Sequence, residues 1–252
     1  MLPFFFNITA LIYKSMKTTY IFVVLLIISS CSGGSSNIIE EDNSGIPGDE
    51  LNSINETCTN TSRNGVDKCD LTHDDRNRFY YLYVPDNLDT NQSIPVLFAF
   101  HGYGSSALRH LGYTNYIPIA DKNNFIVVYP QGETTSTLSA HWNVGGWTSK
   151  STVKDLEFVE TVIDLLKDKL PIDESRIYSS GMSNGGYMGY HLACNLSDKF
   201  AAIASVTGSM TISTYDNCSP SHPTPILQIH GLLDFVVPYN GNSGSKSIPD
   251  VM

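Results

Sequence analysis

The sequence predicts an α/β fold: a mostly parallel sheet with helices on both of its faces. Short apolar runs alternate with longer segments of helical spacing, which is the order that parallel strands and their crossover helices produce. Runs such as IPVLFAFHG (94–102) are continuously apolar, as is typical of strands buried on both faces. A hydrophobic fraction of 41% and a charged fraction of 16% suit a globular core.

These patterns predict six strands and two helices. Alternating aromatic residues mark the first strand, and apolar runs mark the other five. The predicted strands are 78–85, 94–102, 124–132, 176–183, 200–208 and 225–231. Apolar residues recur at steps of three and four from Leu156 to Leu170, which predicts a helix over 155–170 that Pro171 ends. The second helix is predicted over 184–194.

Residues 1–31 have the layout of a secretory signal, with Met16 as an alternative start. A lysine precedes a short apolar run, and small residues then lead to Cys31. Ile28-Ser29-Ser30-Cys31 resembles the bacterial lipobox, which predicts lipidation at Cys31 and anchoring at the extracellular or periplasmic face of a membrane. The alternative is a plain signal peptide or membrane anchor with an incidental cysteine.

A flexible tether is predicted over 32–56, followed by one folded domain over 57–252. The tether is rich in Ser, Gly, Asn, Asp and Glu and has no hydrophobic period. The chain carries 25 acidic and 15 basic residues, and it has no basic run or basic–aromatic stripe. Nucleic acid is therefore not an expected partner.

The cysteines beyond the signal predict disulfides. They are Cys58, Cys69, Cys194 and Cys218. An exported protein meets an oxidising compartment, so an even number favours two bonds, of which Cys58–Cys69 and Cys194–Cys218 join sequence neighbours. Three pairings are possible, and buried free thiols are the alternative. No C-x-x-C pair or histidine-rich cluster indicates a metal site, so none is expected.

The Cys194–Cys218 bond has a topological argument as well. The helix that follows Ser183 runs away from the carboxyl ends of the strands, so its end at Cys194 is expected at the opposite edge of the sheet. Cys218 precedes a parallel strand that begins at that same edge, so the two thiols should converge.

The segment Gly181-Met182-Ser183-Asn184-Gly185 has the G-x-S-x-G pattern between a predicted strand and a predicted helix. A tight turn in that context raises the serine hydroxyl above the sheet, which predicts Ser183 as a nucleophile. The Asn184 N–H at the helix start would stabilise an oxyanion. In such a fold the second donor follows an earlier strand, and the N–H of Tyr103 in His101-Gly102-Tyr103-Gly104 is the candidate.

Asp234 follows the last predicted strand, and its position after the nucleophile fits the order Ser…Asp…His. It would orient the catalytic histidine and stabilise the imidazolium. His101 and His230 end strands, so both are expected to be core residues rather than bases. Of the other histidines, His110 and His141 are expected in loops that could approach Ser183.

The segment from Arg78 to Val251 resembles the poly(3-hydroxybutyrate) depolymerase-like esterases, close to the feruloyl and acetylxylan esterases of carbohydrate esterase family 1. The matching pieces are HGYGSS, YPQG, WNVGGW, GMSNGGYMGYHLAC, FAAIASVTG and HGLLDFVVPY. The resemblance implies an α/β-hydrolase fold, a serine esterase without cofactor, and ester substrates on a polysaccharide or a polyester. It also implies that Trp142 and Trp147 lie near the substrate.

The chain departs from this family in one respect. The family's catalytic histidine follows the acid, whereas no histidine follows His230 here. SIPDVM resembles the start of the family's final helix, so the expectation is a chain that lacks the C-terminal strand and helix and is inactive alone. Alternatives are an inactive relative that binds glycans as a surface lipoprotein, and a serine peptidase of the same fold.

Overall fold

A computed structural model describes residues 55–63 and 65–252. The predicted signal and residues 32–54 of the predicted tether lie outside the described residues. The strands are β1 (Glu56–Arg63), β2 (Val66–His73), β3 (Arg76–Tyr83), β4 (Ile94–Phe100), β5 (Ile126–Pro130), β6 (Ile172–Met182), β7 (Ala202–Val206) and β8 (Ile226–Ile229). The helices are α1 (Ala107–Thr114), α2 (Ile117–Asn123), α3 (Asp155–Lys169), α4 (Asn184–Asn195), α5 (Ile212–Asp216) and α6 (Ile248–Val251). Gly146–Thr148 forms a 3-10 turn.

The strands form one sheet in the order β1-β2-β3-β5-β4-β6-β7-β8. The five strands from β5 to β8 in that order are parallel, and β3, β2 and β1 continue the sheet, each antiparallel to its neighbour. The predicted mostly parallel sheet is therefore confirmed. The loops after β4, β6 and β8 all lie at the carboxyl ends of the parallel strands. Ligand-binding sites form at these ends in such sheets.

The N-terminal hairpin was not predicted. β1 and β2 are polar strands at the sheet edge, and Cys58 and Cys69 are direct partners across them, joined by a disulfide. His73 is the last residue of β2. Since alternation of apolar residues was the strand signal, a polar edge hairpin escaped it.

The core lies on both faces of the sheet. Phe98 and Phe100 of β4 pack on one face against residues of α3 and α4. Ala99, which points the other way, packs against α1. This division follows from the two-residue period of a strand, and it places α1 and α4 on opposite faces.

The predicted bond between Cys194 and Cys218 is present, with the Cα atoms 4.9 Å apart. It joins the end of α4 to the segment before β8, near the amino ends of the parallel strands, whereas Ser183 lies at their carboxyl ends. Among residues 55–63 and 65–252, no helix has both the length and the apolar character of a membrane span.

β8 is the last strand on its side of the sheet, so its outer edge pairs with no strand among the described residues. Leu227 and Ile229 are about two-fifths exposed, and Leu232, Leu233, Phe235 and Val236 are each more than 70% exposed. This is a large apolar surface for a soluble domain, and the only charged residue in that stretch is Asp234.

Candidate active site

Ser183 lies on a strained turn between β6 and α4. Its backbone has φ +54° and ψ −118°, a conformation that residues other than glycine rarely adopt. Its N–H donates to Val206 O at 2.8 Å, which fixes the turn against β7. The half-buried Oγ forms no hydrogen bond with the described residues, so it is free to react. Strain of about 1–3 kcal/mol at such a residue is typical of functional sites.

The glycines of the motif allow the backbone to pass close to itself. A Cβ at Gly181 would lie 2.1 Å from Gly185 O, and a Cβ at Gly185 would lie 2.1 Å from Phe100 O. Neither distance is possible for a real atom, so the turn requires glycine at both positions.

Two free backbone N–H groups lie beside the nucleophile. A Cβ built on Gly102 would be 3.5 Å from Ser183 Cβ, so the loop after β4 abuts the turn. The N–H groups of Tyr103 and Asn184 donate to no acceptor among the described residues. Both therefore remain candidates for the two donors of an oxyanion hole.

Trp142 is a core residue, and the expectation that it binds substrate is wrong. Its side chain is fully buried, its indole N–H donates to His101 O at 2.9 Å, and its ring packs edge-on against Phe100. Its backbone N–H donates to Asn184 Oδ1 at 2.7 Å, and Asn184 Nδ2 donates back to Trp142 O at 3.1 Å. Trp142 thereby positions the residue after the nucleophile.

Trp147 and Tyr103 form an exposed aromatic pair at the mouth of the site. Their ring centroids are 5.9 Å apart, edge to face, and Trp147 also packs on Tyr187 of α4. About 40% of each side chain is exposed. This arrangement leaves ring surface available to a substrate, and it keeps Trp147 as the candidate contact.

Asp234 lies in the loop after β8, with one carboxylate oxygen held and the other free. Oδ1 accepts hydrogen bonds from the N–H groups of Val236 and Val237, each at 2.9 Å. Oδ2 forms no hydrogen bond with the described residues and lies 3.8 Å from His230 Nε2. A fixed carboxylate with one free oxygen can accept from the N–H of a catalytic histidine.

His101 and His230 are core residues, as predicted. His101 Nδ1 donates to Gly102 O at 2.8 Å, and its Nε2 accepts from Gly132 N–H at 2.9 Å. His230 Nε2 donates to Val237 O at 2.7 Å, and its Nδ1 accepts from Gln228. Both imidazoles use both nitrogens, so neither can take the proton of Ser183.

His110 and His141 do not lie in loops open to Ser183. His110 belongs to helix α1, where it is buried and its Nδ1 pairs with the Tyr113 hydroxyl. His141 is buried, with Nδ1 2.9 Å from Ser139 O. No histidine among the described residues forms a hydrogen bond with Ser183 Oγ.

Burial lowers the pKa of His101 and of His110 to about 4. In the unfolded chain they protonate near 6.5, so between pH 6.5 and pH 4 the unfolded state binds more protons. We expect stability to fall as the pH drops through this window, by on the order of 2–3 kcal/mol for each histidine. Urea unfolding at pH 7.0, 5.5 and 4.5 measures this loss. His110→Gln should reduce this pH-dependent loss of stability, whereas replacement of the exposed His222 by Gln should not. An equal loss in the parent protein and both variants would contradict the role given to His110.

Sequence reasoning missed a buried ion pair beneath the site. Arg78 Nη2 and Asp155 Oδ1 are 2.8 Å apart, and both side chains are fully buried. Asp155 Oδ2 also accepts from Asn143 N–H at 2.7 Å, next to Trp142. The only signal was a charged residue, Arg78, at the start of an apolar strand.

No metal centre is indicated among residues 55–63 and 65–252. Glu56, Cys58 and Cys69 bring three possible ligand atoms within 4.8 Å of one another, but the disulfide consumes both thiolates.

The chain is similar to known hydrolases. Residues 112–219 match the model of the prolyl oligopeptidase family, which is less than half of the chain. Over 167 residues the chain is 32% identical to a bifunctional acetylxylan esterase/xylanase of Neocallimastix patriciarum, covering 66% of this chain and 23% of that protein. Over 130 residues it is 35% identical to feruloyl esterase B of Thermothelomyces thermophilus, covering 51% of this chain and 43% of that protein.

A crystal structure of a thermostable esterase matches with a TM-score of 0.52 and 22% identity, covering 76% of this chain and 49% of that one. The chain has the α/β-hydrolase fold and is similar in sequence to feruloyl esterases. It spans less than two thirds of the length of each of these proteins. The Ser183 turn lies within the segment that matches the prolyl oligopeptidase family.

Proposed function

We propose that the protein is a serine carboxylic ester hydrolase that works through an acyl-enzyme at Ser183. The observation that carries the proposal is the strained Ser183 turn with an unpaired Oγ beside two free backbone N–H groups. The similarity to feruloyl and acetylxylan esterases supports it.

In the first step, Ser183 Oγ attacks the ester carbonyl carbon and its proton passes to a base. The negative oxygen accepts from the N–H groups of Tyr103 and Asn184, and the alcohol leaves with the transferred proton. Water then attacks the acyl-serine, which releases the acid and restores the hydroxyl. The base we propose is a histidine whose second nitrogen donates to Asp234 Oδ2.

None of the histidines in the described residues is arranged as this base. We therefore expect residues 32–252 alone to lack ester turnover, and the catalytic assays use the full gene product. The proposed substrates are esters of ferulic or acetic acid on a plant polysaccharide, with poly(3-hydroxybutyrate) as the polyester alternative. Trp147 and Tyr103 support a substrate that carries a ring.

The prolyl oligopeptidase match favours peptide hydrolysis as a second candidate. The full gene product should be assayed on methyl ferulate, acetylated xylan, a poly(3-hydroxybutyrate) film and a prolyl p-nitroanilide peptide. The proposal expects turnover of at least one ester and none of the anilide. Turnover of the anilide alone would favour a peptidase, and binding of xylan without any turnover would favour a non-catalytic glycan-binding protein.

We also propose that the protein is exported and held at the membrane by lipid on Cys31, a residue outside the described part of the chain. Two disulfides in the folded domain support an oxidising compartment. Cys31→Ser should move the protein from the membrane fraction to the soluble fraction, because that residue carries the lipid. Cys31→Ser protein that still pellets with membranes would reject the anchor, and Ser30→Ala is the control.

A further inference from the structure

Tyr113 is an exposed aromatic residue of α1 that the proposed chemistry does not yet use. Its side chain is 51% exposed although α1 packs firmly on the sheet through Ala107 and Leu111. Its hydroxyl lies 3.7 Å from the sulfur of Met182, the residue directly before the nucleophile.

The contacts of Met182 place this hydroxyl at the edge of the active site. The position of a Cβ on Gly102 is 3.4 Å from Met182 Cε and 3.5 Å from Ser183 Cβ. Met182 and Ser183 therefore meet the same point of the loop after β4. The Tyr113 hydroxyl touches that cluster from the side of α1.

Tyr113 and Trp147 approach Ser183 from opposite faces of the sheet. Trp147 packs on Tyr187 of α4, which shares its core cluster with Phe98 and Phe100. The helix of Tyr113 packs on the face of Ala99. One aromatic side chain thus lies on each face of the sheet near the Ser183 turn. A substrate that carries a ring on either side of its ester bond would contact Tyr113 or Trp147.

His110 determines which way the Tyr113 hydroxyl donates. Its Nδ1 pairs with Tyr113 Oη, while its Nε2 is buried with no partner among the described residues. Burial keeps the imidazole neutral at pH 7, since it lowers the pKa to about 4. Unpaired buried N–H groups are rarer than unpaired acceptors, so the proton belongs on Nδ1 and is donated to Tyr113 Oη. The hydrogen of Tyr113 then points to the sulfur of Met182, 3.7 Å away, a weak acceptor that a substrate oxygen can replace.

We propose that Tyr113 is a specificity-determining residue that donates its O–H to an oxygen substituent on a ring of the substrate, with His110 as the residue that positions it. This inference rests on the proposed ester hydrolase function. The ring comes either from a phenolic acyl group or from the sugar that bears the ester. Both rings offer an oxygen acceptor. Substrates that carry only one of the two rings distinguish between them.

Tyr113→Phe removes the hydroxyl and keeps the ring, so it tests the hydrogen bond alone. Its kcat/KM in the full gene product should be measured on two substrate pairs: methyl ferulate with methyl cinnamate, and acetylated xylo-oligosaccharide with phenyl acetate. In one of the two pairs we expect kcat/KM to fall about tenfold, mostly through KM, for the substrate whose ring carries oxygen. The kcat/KM for the other substrate of that pair should not change. Tyr178→Phe is the matched control, because Tyr178 is half-buried in β6 and its hydroxyl forms no hydrogen bond with the described residues.

A loss with methyl ferulate assigns Tyr113 to the acyl ring, and a loss with the oligosaccharide assigns it to the sugar. Unchanged kcat/KM on all four substrates would overturn the proposal. If the parent protein turns over no ester, calorimetric binding of methyl ferulate and of xylotetraose to Ser183→Ala, with and without Tyr113→Phe, still decides it. A tenfold weaker Kd for one of them supports the role of Tyr113, and two equal Kd values, or no binding of either, reject it.

Discussion

Replacing Ser183 by alanine is expected to lower ester turnover by the full gene product about 10⁴-fold or more, with KM little changed. The reason is chemical, because no acyl-enzyme can form without Oγ and the remaining N–H donors only polarise the carbonyl. Initial rates on the best ester of the panel measure the loss.

The substitution should leave the fold intact, since Ser183 Oγ forms no hydrogen bond with the described residues. Alanine keeps the Cβ that already tolerates φ +54°. Ser175→Ala, at the far end of β6, is the control and should retain full activity. Activity of Ser183→Ala within tenfold of the parent protein would mean that another residue is the nucleophile.

Replacing Asp155 by alanine is expected to lower the free energy of unfolding by about 3 kcal/mol, because the buried Arg78 guanidinium loses its partner at 2.8 Å and keeps only Glu133, whose Oε1 is 3.5 Å from Nε. Both side chains are fully buried, and the guanidinium is also 3.9 Å from the centre of the Phe158 ring. Arg78 therefore cannot reach water without disrupting the core.

A neighbouring exposed pair supplies the control for this measurement. Lys154 and Asp74 are 2.7 Å apart, but the lysine is 55% exposed. Lys154→Ala should cost less than about 1 kcal/mol, as exposed pairs do. Urea unfolding at pH 7 compares the two variants. A loss below about 1 kcal/mol in Asp155→Ala would show that the buried pair does not support the fold.

The same substitution should also impair catalysis. Asp155 holds Asn143, and the adjacent Trp142 holds Asn184 through two hydrogen bonds. Loss of that support displaces a proposed oxyanion donor. Activity measured well below the unfolding transition should therefore fall more than the folded fraction does.

The sequence was sufficient for the parallel half of the sheet and for the Ser183 turn. Apolar runs that end in glycine reveal buried strands, and the G-x-S-x-G pattern has a steric basis that the distances at Gly181 and Gly185 confirm. The position of Asp234 could be predicted because the order of strands along the chain determines which loops lie at the carboxyl ends of the parallel strands.

Other features depend on contacts that a sequence does not display. The family resemblance implied that Trp142 lies near the substrate, but tryptophan suits both packing and ring binding, and only its burial decides between them. Asp155 begins a helix, where an exposed acid is common, so its pairing with Arg78 was not predictable. The β1–β2 hairpin has no apolar run, because β1 is mostly exposed and β2 buries only the spaced residues Val66, Cys69 and Leu71.

The most direct test of the Ser183 mechanism is mass spectrometry of the full gene product after brief reaction with p-nitrophenyl acetate at low pH, where deacylation is slow. The proposed mechanism predicts one added acetyl group, located on the peptide that contains Ser183 and absent from Ser183→Ala. An acetyl group on any other residue, during turnover that survives Ser183→Ala, would contradict it.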